Sequence, residues 1–300
     1  MEKTRLELIA KMPRIKFKFE EELKGYSFTK TGGVADVIAF PKTIIEVYEI
    51  VNYCRLENIE YTVLGNASNL IISDKGLRGI TIILTDMNDV RIFDDRIVAA
   101  AGAELIHTCY QALSENLTGL EFASGIPGTV GGAVFMNAGA YNGQIADAVE
   151  SVEVVLPDGE LKTFNAEEAK FGYRDSIFQH IGAIILNVTF KLKKGDRREI
   201  ETQMRELTDA RIEKQPLEFP SCGSVFKRPE GYFAGKLIQD AGLQGYTVGG
   251  AKVSEKHAGF IVNIGGATAE DYKAVIKHVQ ETVLAKEGVA LETEVKILGE

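Results

Sequence analysis

Cysteine is scarce: Cys54, Cys109 and Cys222 stand far apart, and no C-x-x-C pair occurs. Neither a zinc knuckle nor a disulfide framework is expected, and a reducing cytosol is the plain reading. Positive charge is also short, with 34 basic against 43 acidic side chains and a formal net charge of −9. Broad nucleic-acid or anionic-membrane binding needs a cationic footprint, so neither partner is expected. A small anionic substrate stays open, because a few local arginines override the global sign. No run approaches the ~20 apolar residues of a membrane span. The first 24 residues interleave charges with apolar side chains and build no secretory core. No G-x-G occurs, which removes the Rossmann fingerprint. H-E-x-x-H, G-x-S-x-G and Asp-rich metal loops are missing too. Gly231–Lys236 (GYFAGK) is one residue too short between its glycines for a P-loop and is followed by Leu237, so it reads as a turn into a helix.

What is there is a soluble, globular balance: 300 residues, 45% hydrophobic and 26% charged, enough for two or three domains. A first unit, 1–88, alternates elements. Ala35–Phe40 reads as a strand, Thr43 and Glu46 as a capping box before a helix with Val47, Ile50 and Val51 on one face, and Tyr61–Leu64 and Ile80–Leu84 as strands. A second, 89–194, opens with a hairpin across Asp94-Asp95, continues with a helix near Glu104–Leu113 and strands flanking Pro157-Asp158-Gly159, and closes with a buried strand, Ile181–Phe190. The charged run Lys191–Arg198 is the linker candidate. A third, 199–300, begins with a helix over 199–214. It places a second helix after a Thr268/Asp271 capping box, ended by Gly288, and a strand over Val289–Leu298.

Two small-residue segments could carry chemistry. Leu64–Ile71 (LGNASNLI) is a polar turn between apolar strands, whose backbone N–H groups and Ser and Asn side chains suit a pyrophosphate. Gly125–Ala133 (GIPGTVGGA), followed by Met136–Tyr141 (MNAGAY), lets backbone approach a large flat ligand. Both patterns also suit ordinary loops. In Pro220–Pro229 (PSCGSVFKRP) three readings compete: a structural turn, a Cys222 nucleophile or a Ser224 hydroxyl acid. Leu291–Ile297 (LETEVKI) sends Leu291, Val295 and Ile297 to one face and Glu292, Glu294 and Lys296 to the other, as a solvent-facing strand would.

In order along the chain, TKTGGVAD (29–36), GNASNLIISDKG (65–76), GIPGTVGGAVFMNAGAYNG (125–143), YRDS (173–176), GSVFKRP (223–229), AGKLIQDAGLQGYTVGGAKVSEKHAGFIVN (234–263) and LETEVKILG (291–299) resemble the UDP-N-acetylenolpyruvoylglucosamine reductases. The resemblance implies an α+β fold: a two-subdomain FAD-binding region of the vanillyl-alcohol-oxidase (PCMH) type, over 1–88 and 89–194, and a C-terminal α+β substrate-binding domain over 199–300. It implies non-covalent FAD, NADPH as co-substrate and UDP-N-acetylglucosamine enolpyruvate as substrate, in peptidoglycan precursor synthesis, with no obligate protein partner. Arg174, Ser224 and Glu294 match the catalytic Arg, the proton-donating Ser and the Glu. Gly65, Asn66, Ala67, Ser68, Asn69, Gly125, Pro127, Gly128, Thr129, Gly132, Ala133, Ala138 and Gly139 fall on the FAD. Tyr141, Lys214, Arg228 and His257 fall on the substrate. Ala67 and Asn142 replace frequent glycines and Lys296 a frequent Arg. The stretch between Arg174 and Lys191 has no room for a tyrosine-bearing loop, which is the pattern of the shorter subgroup. Two rivals remain: another FAD oxidoreductase of this fold, using oxygen, and a flavin-free nucleotide-sugar module.

Overall fold

The computed structural model describes residues 2–299. They fall into two compact units, one holding residues up to Phe19, Val37–Asn66 and Gly79–Ala210, the other Glu20–Asp36, Ala67–Arg78 and Arg211 onward. Helix α1 (Glu2–Lys11) precedes β1 (Lys16–Glu22) and β2 (Val34–Phe40). Helix α2 (Ile44–Glu57) starts at Thr43, whose hydroxyl accepts from Glu46 N. Glu46 turns its carboxylate to Lys42 N (2.6 Å) instead of completing the expected box. Val47, Ile50, Val51 and Cys54 are all but fully buried along its inner face, as their spacing requires. Strands β3 (Tyr61–Leu64), β4 (Leu70–Ile72) and β5 (Leu77–Ile83) follow. One sheet runs β1-β2-β5-β3, with β3 and β5 parallel.

Strands β6 (Val90–Phe93) and β7 (Arg96–Ala100) form the expected hairpin, with Asp94 left-handed at φ 53° in its two-residue loop. Helix α3 (Leu105–Ser114), β8 (Leu117–Thr118), α4 (Val130–Phe135) and the short ribbon β9 (Gly139–Ala140) and β10 (Gly143–Gln144) come next. Strands β11 (Val149–Val155), β12 (Leu161–Asn165) and β13 (Ile184–Lys191) complete an antiparallel five-stranded sheet, β12-β11-β13-β7-β6. The charged run after β13 is partly paired: β14 (Lys193–Lys194) lies antiparallel to β8. One core belongs to this unit, with Val152, Val188, Phe190 and Phe178 among its buried residues.

Helix α5 (Arg197–Lys214) leads to β15 (Ser221–Ser224), α6 (Ala234–Asp240), β16 (Thr247–Val248), β17 (Ala251–Val253) and β18 (Phe260–Asn263). In the second unit these strands form an antiparallel sheet, β15-β18-β17-β16. Helix α7 (Ala269–Glu287) has both bonds of its Thr268/Asp271 capping box and ends at left-handed Gly288. Tyr272, Val275, Ile276, Val279 and Val283 face a second core with Val225, Phe226 and Ile238. Full burial of one such side chain contributes about 1.5–3 kcal/mol. The strand expected over Val289–Leu298 is only β19 (Lys296–Leu298), parallel to β4. Its first half is held irregularly, because Val225 O takes both Glu294 N (2.8 Å) and Val295 N (3.3 Å).

Candidate functional site

In the first unit the loop before α4 is tied down by its own backbone. Gly128 O accepts from Leu105 N, and Val130 N and Gly131 N donate to Ala103 O and Ala101 O. Thr129 caps α4, its Oγ1 accepting from Gly132 N at 3.3 Å. Gly65, at the end of β3, approaches this cap so closely that a Cβ there would lie 2.3 Å from Thr129 Oγ1. Gly65 and Thr129, expected on the cofactor from segments more than sixty residues apart, therefore share one spot. Ser124, directly before Gly125, is 3% exposed, and its Oγ has no partner among the described residues. A buried hydroxyl without a partner is costly, and a nucleotide oxygen or ring nitrogen would satisfy it. This orphan and the Gly65 cradle fit FAD. Ser124 was missed by sequence reasoning. Its only signal is a small polar residue set between Phe122-Ala123 and Gly125.

The C-terminal side of α4 carries the next group. Tyr141 and Asn142 form the two-residue turn of the β9–β10 ribbon, left-handed at φ 51° and 67°. Asn tolerates this conformation; a bulky Tyr pays for it, on the order of 1–2 kcal/mol. Arg174 is a further outlier at φ 55°. Its Nη2 donates to Gly139 O at 2.9 Å and its guanidinium lies 5.3 Å from the Tyr173 ring centroid. A Cβ on Gly139 would sit 3.3 Å from Arg174 Nη1. Arg174 and Gly139 are thus brought together beside the Tyr141 turn. Strained non-glycine backbone concentrates where function demands it.

The second unit gathers another set. Val225 is the hinge between Ser224 and Glu294: Val225 O accepts from Glu294 N, and Phe226 bridges Thr293. The Ser224 hydroxyl donates to Phe226 O at 3.1 Å. Asn69, expected on the cofactor, donates through Nδ2 to Glu294 O (3.3 Å) and accepts from Lys296 N (3.2 Å). Ala67 is left-handed at φ 47°, the conformation that glycine would hold without strain. Ser68 lies half-buried between them.

His257 and Ser224 face one glycine: a Cβ on Gly259 would lie 3.1 Å from His257 Cε1 and 3.6 Å from Ser224 Oγ. His257 Nδ1 accepts from Gly259 N at 3.1 Å. Burial pushes the imidazole below its ordinary value, which keeps it neutral near pH 7. Cys222 is 2% exposed, and burial, helped by the Glu294 charge, pushes its thiol up to about 12. A protonated, enclosed thiol is no nucleophile, which disposes of that reading of the turn. Arg228 packs its guanidinium 4.0 Å from the Phe233 ring centroid and donates from Nε to Tyr232 O. Lys214 is exposed at the end of α5, whose last turn is held to the Ser254–His257 turn by Lys256 Nζ to Ile212 O (2.8 Å). Among the described residues no cluster of His, Cys, Asp and Glu could hold a metal, and no helix is long and apolar enough to cross a membrane.

Comparison with known proteins adds the following. Residues 35–165 match an FAD-binding-domain family, and residues 215–298 match the family described as "UDP-N-acetylenolpyruvoylglucosamine reductase, C-terminal domain". The chain is 57% identical over 281 residues to the UDP-N-acetylenolpyruvoylglucosamine reductase of Enterococcus faecalis, covering 94% of each chain. It is 55% identical over 288 residues to that of Pediococcus pentosaceus, covering 96% of each. The crystal structure of the reductase from Thermus caldophilus superimposes with a TM-score of 0.81 at 37% identity, covering 95% of this chain and 99% of that one.

Proposed function

This chain belongs to the UDP-N-acetylenolpyruvoylglucosamine reductase family, and from that premise we propose which residues carry the reaction and what they do. The enzyme is an FAD-dependent oxidoreductase of peptidoglycan precursor synthesis. Its substrate is the enolpyruvyl ether of UDP-N-acetylglucosamine, its product UDP-N-acetylmuramate, its reductant NADPH and its compartment the cytoplasm. Gly65, Asn66 and the 125–133 loop, with Ser124 added, hold the FAD. When bound, FAD supplies the hydride that passes from NADPH to the vinyl carbon.

The protein's work is electrostatic and positional. As hydride reaches the vinyl carbon, negative charge grows on the neighbouring carbon and its carboxylate. Arg174 presents a planar cation to that charge, and a preorganised donor aimed at developing charge lowers the barrier. Ser224 gives its hydroxyl proton to the carbanion after its bond to Phe226 O is released by rotation of the side chain. The hydroxyl is a weak acid facing a strong base, so its asset is placement, and placed proton transfer contributes ~10²–10⁴-fold. Glu294 orients the acid or polarises the ether from the irregular segment before β19. Tyr141, Lys214, Arg228 and His257 hold the nucleotide-sugar and enolpyruvyl groups.

One observation carries the assignment: Ser224 and Glu294, seventy residues apart, flank the same Val225 through the 2.8 Å bond from Glu294 N to Val225 O. An anaerobic titration tests it. NADPH is expected to bleach the flavin absorbance, and stoichiometric enolpyruvyl substrate to restore it. Colour that returns only with oxygen overturns the reading in favour of an oxidase.

A further inference from the structure

We propose that Gln179 is a positioning residue for Arg174, its side-chain amide clamping the left-handed Arg174 turn to the end of α4. The inference rests on the reading of Arg174 as the cation that meets the reacting carboxylate.

Gln179 Nε2 donates to Phe135 O at 2.9 Å and to Arg174 O at 3.0 Å. An amide nitrogen has two hydrogens, and both are committed here. Phe135 closes the helix that begins at the Thr129 cap, so one carbonyl belongs to the cofactor-loop helix and the other to the Arg174 peptide. The far end of Arg174 is held from the same segment, by Nη2 to Gly139 O. Backbone carbonyl and guanidinium are therefore both referenced to residues 135–139. Other bonds close the turn around it. Gly172 and Asp175 exchange backbone bonds (3.0 and 3.3 Å), Asn137 Nδ2 reaches Gly172 O (2.8 Å), and buried Ser176 Oγ reaches Phe135 O (2.7 Å). An arginine at φ 55° persists only where the surroundings over-determine it, and Gln179 is the side chain of this set that grips its peptide.

The test is Gln179→Met, which keeps length and removes both donors. Phe135 O keeps its bond from Ser176, so the fold loses little. Substrate-driven flavin reoxidation is expected to slow about tenfold, the scale of one lost positioning bond, while flavin reduction by NADPH changes less than about twofold. Hydrogen exchange at the Gly172 and Asp175 amides is expected to accelerate. Gln179→Asn, too short to span both carbonyls, should fall between Met and wild type, and keeps the test usable if the Met variant is poorly folded. The decisive arm is Arg174→Ala with and without Gln179→Met. A residue acting through Arg174 adds nothing once Arg174 is gone, so the double variant should match Arg174→Ala within about twofold. Multiplying losses, or equal slowing of both half-reactions with lost FAD, overturn the clamp. Wild-type reoxidation in Arg174→Ala alone overturns instead the reading on which the clamp rests.

Discussion

Gly65→Ala probes the cradle most sharply, because the added methyl has one identified obstacle. Its carbon would lie 2.3 Å from Thr129 Oγ1 and 3.2 Å from Thr129 Cγ2, so exchanging the two by rotation about χ1 gives no relief. Thr129 must move, which sacrifices its cap on Gly132 N. Losing such a cap costs about 1 kcal/mol, and forcing a methyl into packed space costs about 1–3 kcal/mol more. A total of about 2–4 kcal/mol is expected in urea unfolding of the apoprotein, together with weaker FAD retention. The control is Thr129→Ala, which removes the cap and the obstacle together at about 1 kcal/mol. In that background Gly65→Ala should cost close to nothing, leaving a coupling of about 2–4 kcal/mol in the double-mutant cycle. Additive costs within about 0.5 kcal/mol would refute the reasoning, since the clash would then not be with Thr129.

Three further outcomes are expected. Arg174→Ala should slow reoxidation by substrate about 10- to 100-fold, the scale of one charge-assisted hydrogen bond. Arg174→Lys should recover little of this, because a point charge replaces a planar fork; stopped-flow absorbance reads both. Asp271 is held below the ordinary carboxylate range, first by the Thr268 N–H and also by that of Gly250. Its stabilisation is present above the unfolded value near 3.8 and is lost as pH falls through the lowered folded value. Asp271→Ala should therefore cost about 1 kcal/mol in urea unfolding at pH 7, with the gap to wild type narrowing as pH falls below that range. Cys222→Ala should leave both half-reactions within about twofold and cost about 1 kcal/mol of stability, since the thiol is buried and protonated.

The parts legible in the sequence are those with local causes. The Asp94-Asp95 hairpin, the Thr268/Asp271 box and the Gly288 stop each place a residue where its own backbone or side chain favours the observed turn. The family segments pointed to Ser224 and Glu294 as candidates, and the backbone bond from Glu294 N to Val225 O was not legible in them. What stayed hidden was decided by distant partners. Val289–Val295 alternates like a strand, yet Val225 O captures two of its amides and leaves only Lys296–Leu298 to pair with β4. Arg174 and Tyr141 are poor candidates for left-handed backbone; the bond from Gln179 to Arg174 O holds the one and the β9–β10 pairing closes around the other, against their propensity. Gln179 carried no pattern, and Ser124 only that of a small polar residue before Gly125. Their significance lies in which carbonyls one reaches and in the partner the other lacks.

The most direct test of the central claim is Ser224→Ala followed in both half-reactions by anaerobic stopped-flow absorbance. Flavin reduction by NADPH asks no proton of this serine, whereas completing substrate reduction does. The variant should therefore bleach at close to the wild-type rate, and its reoxidation by enolpyruvyl substrate should slow by at least ~10²-fold, the lower end for losing a placed acid. Equal slowing of both steps, or an unimpaired second step, would contradict the assignment of Ser224 as the proton donor.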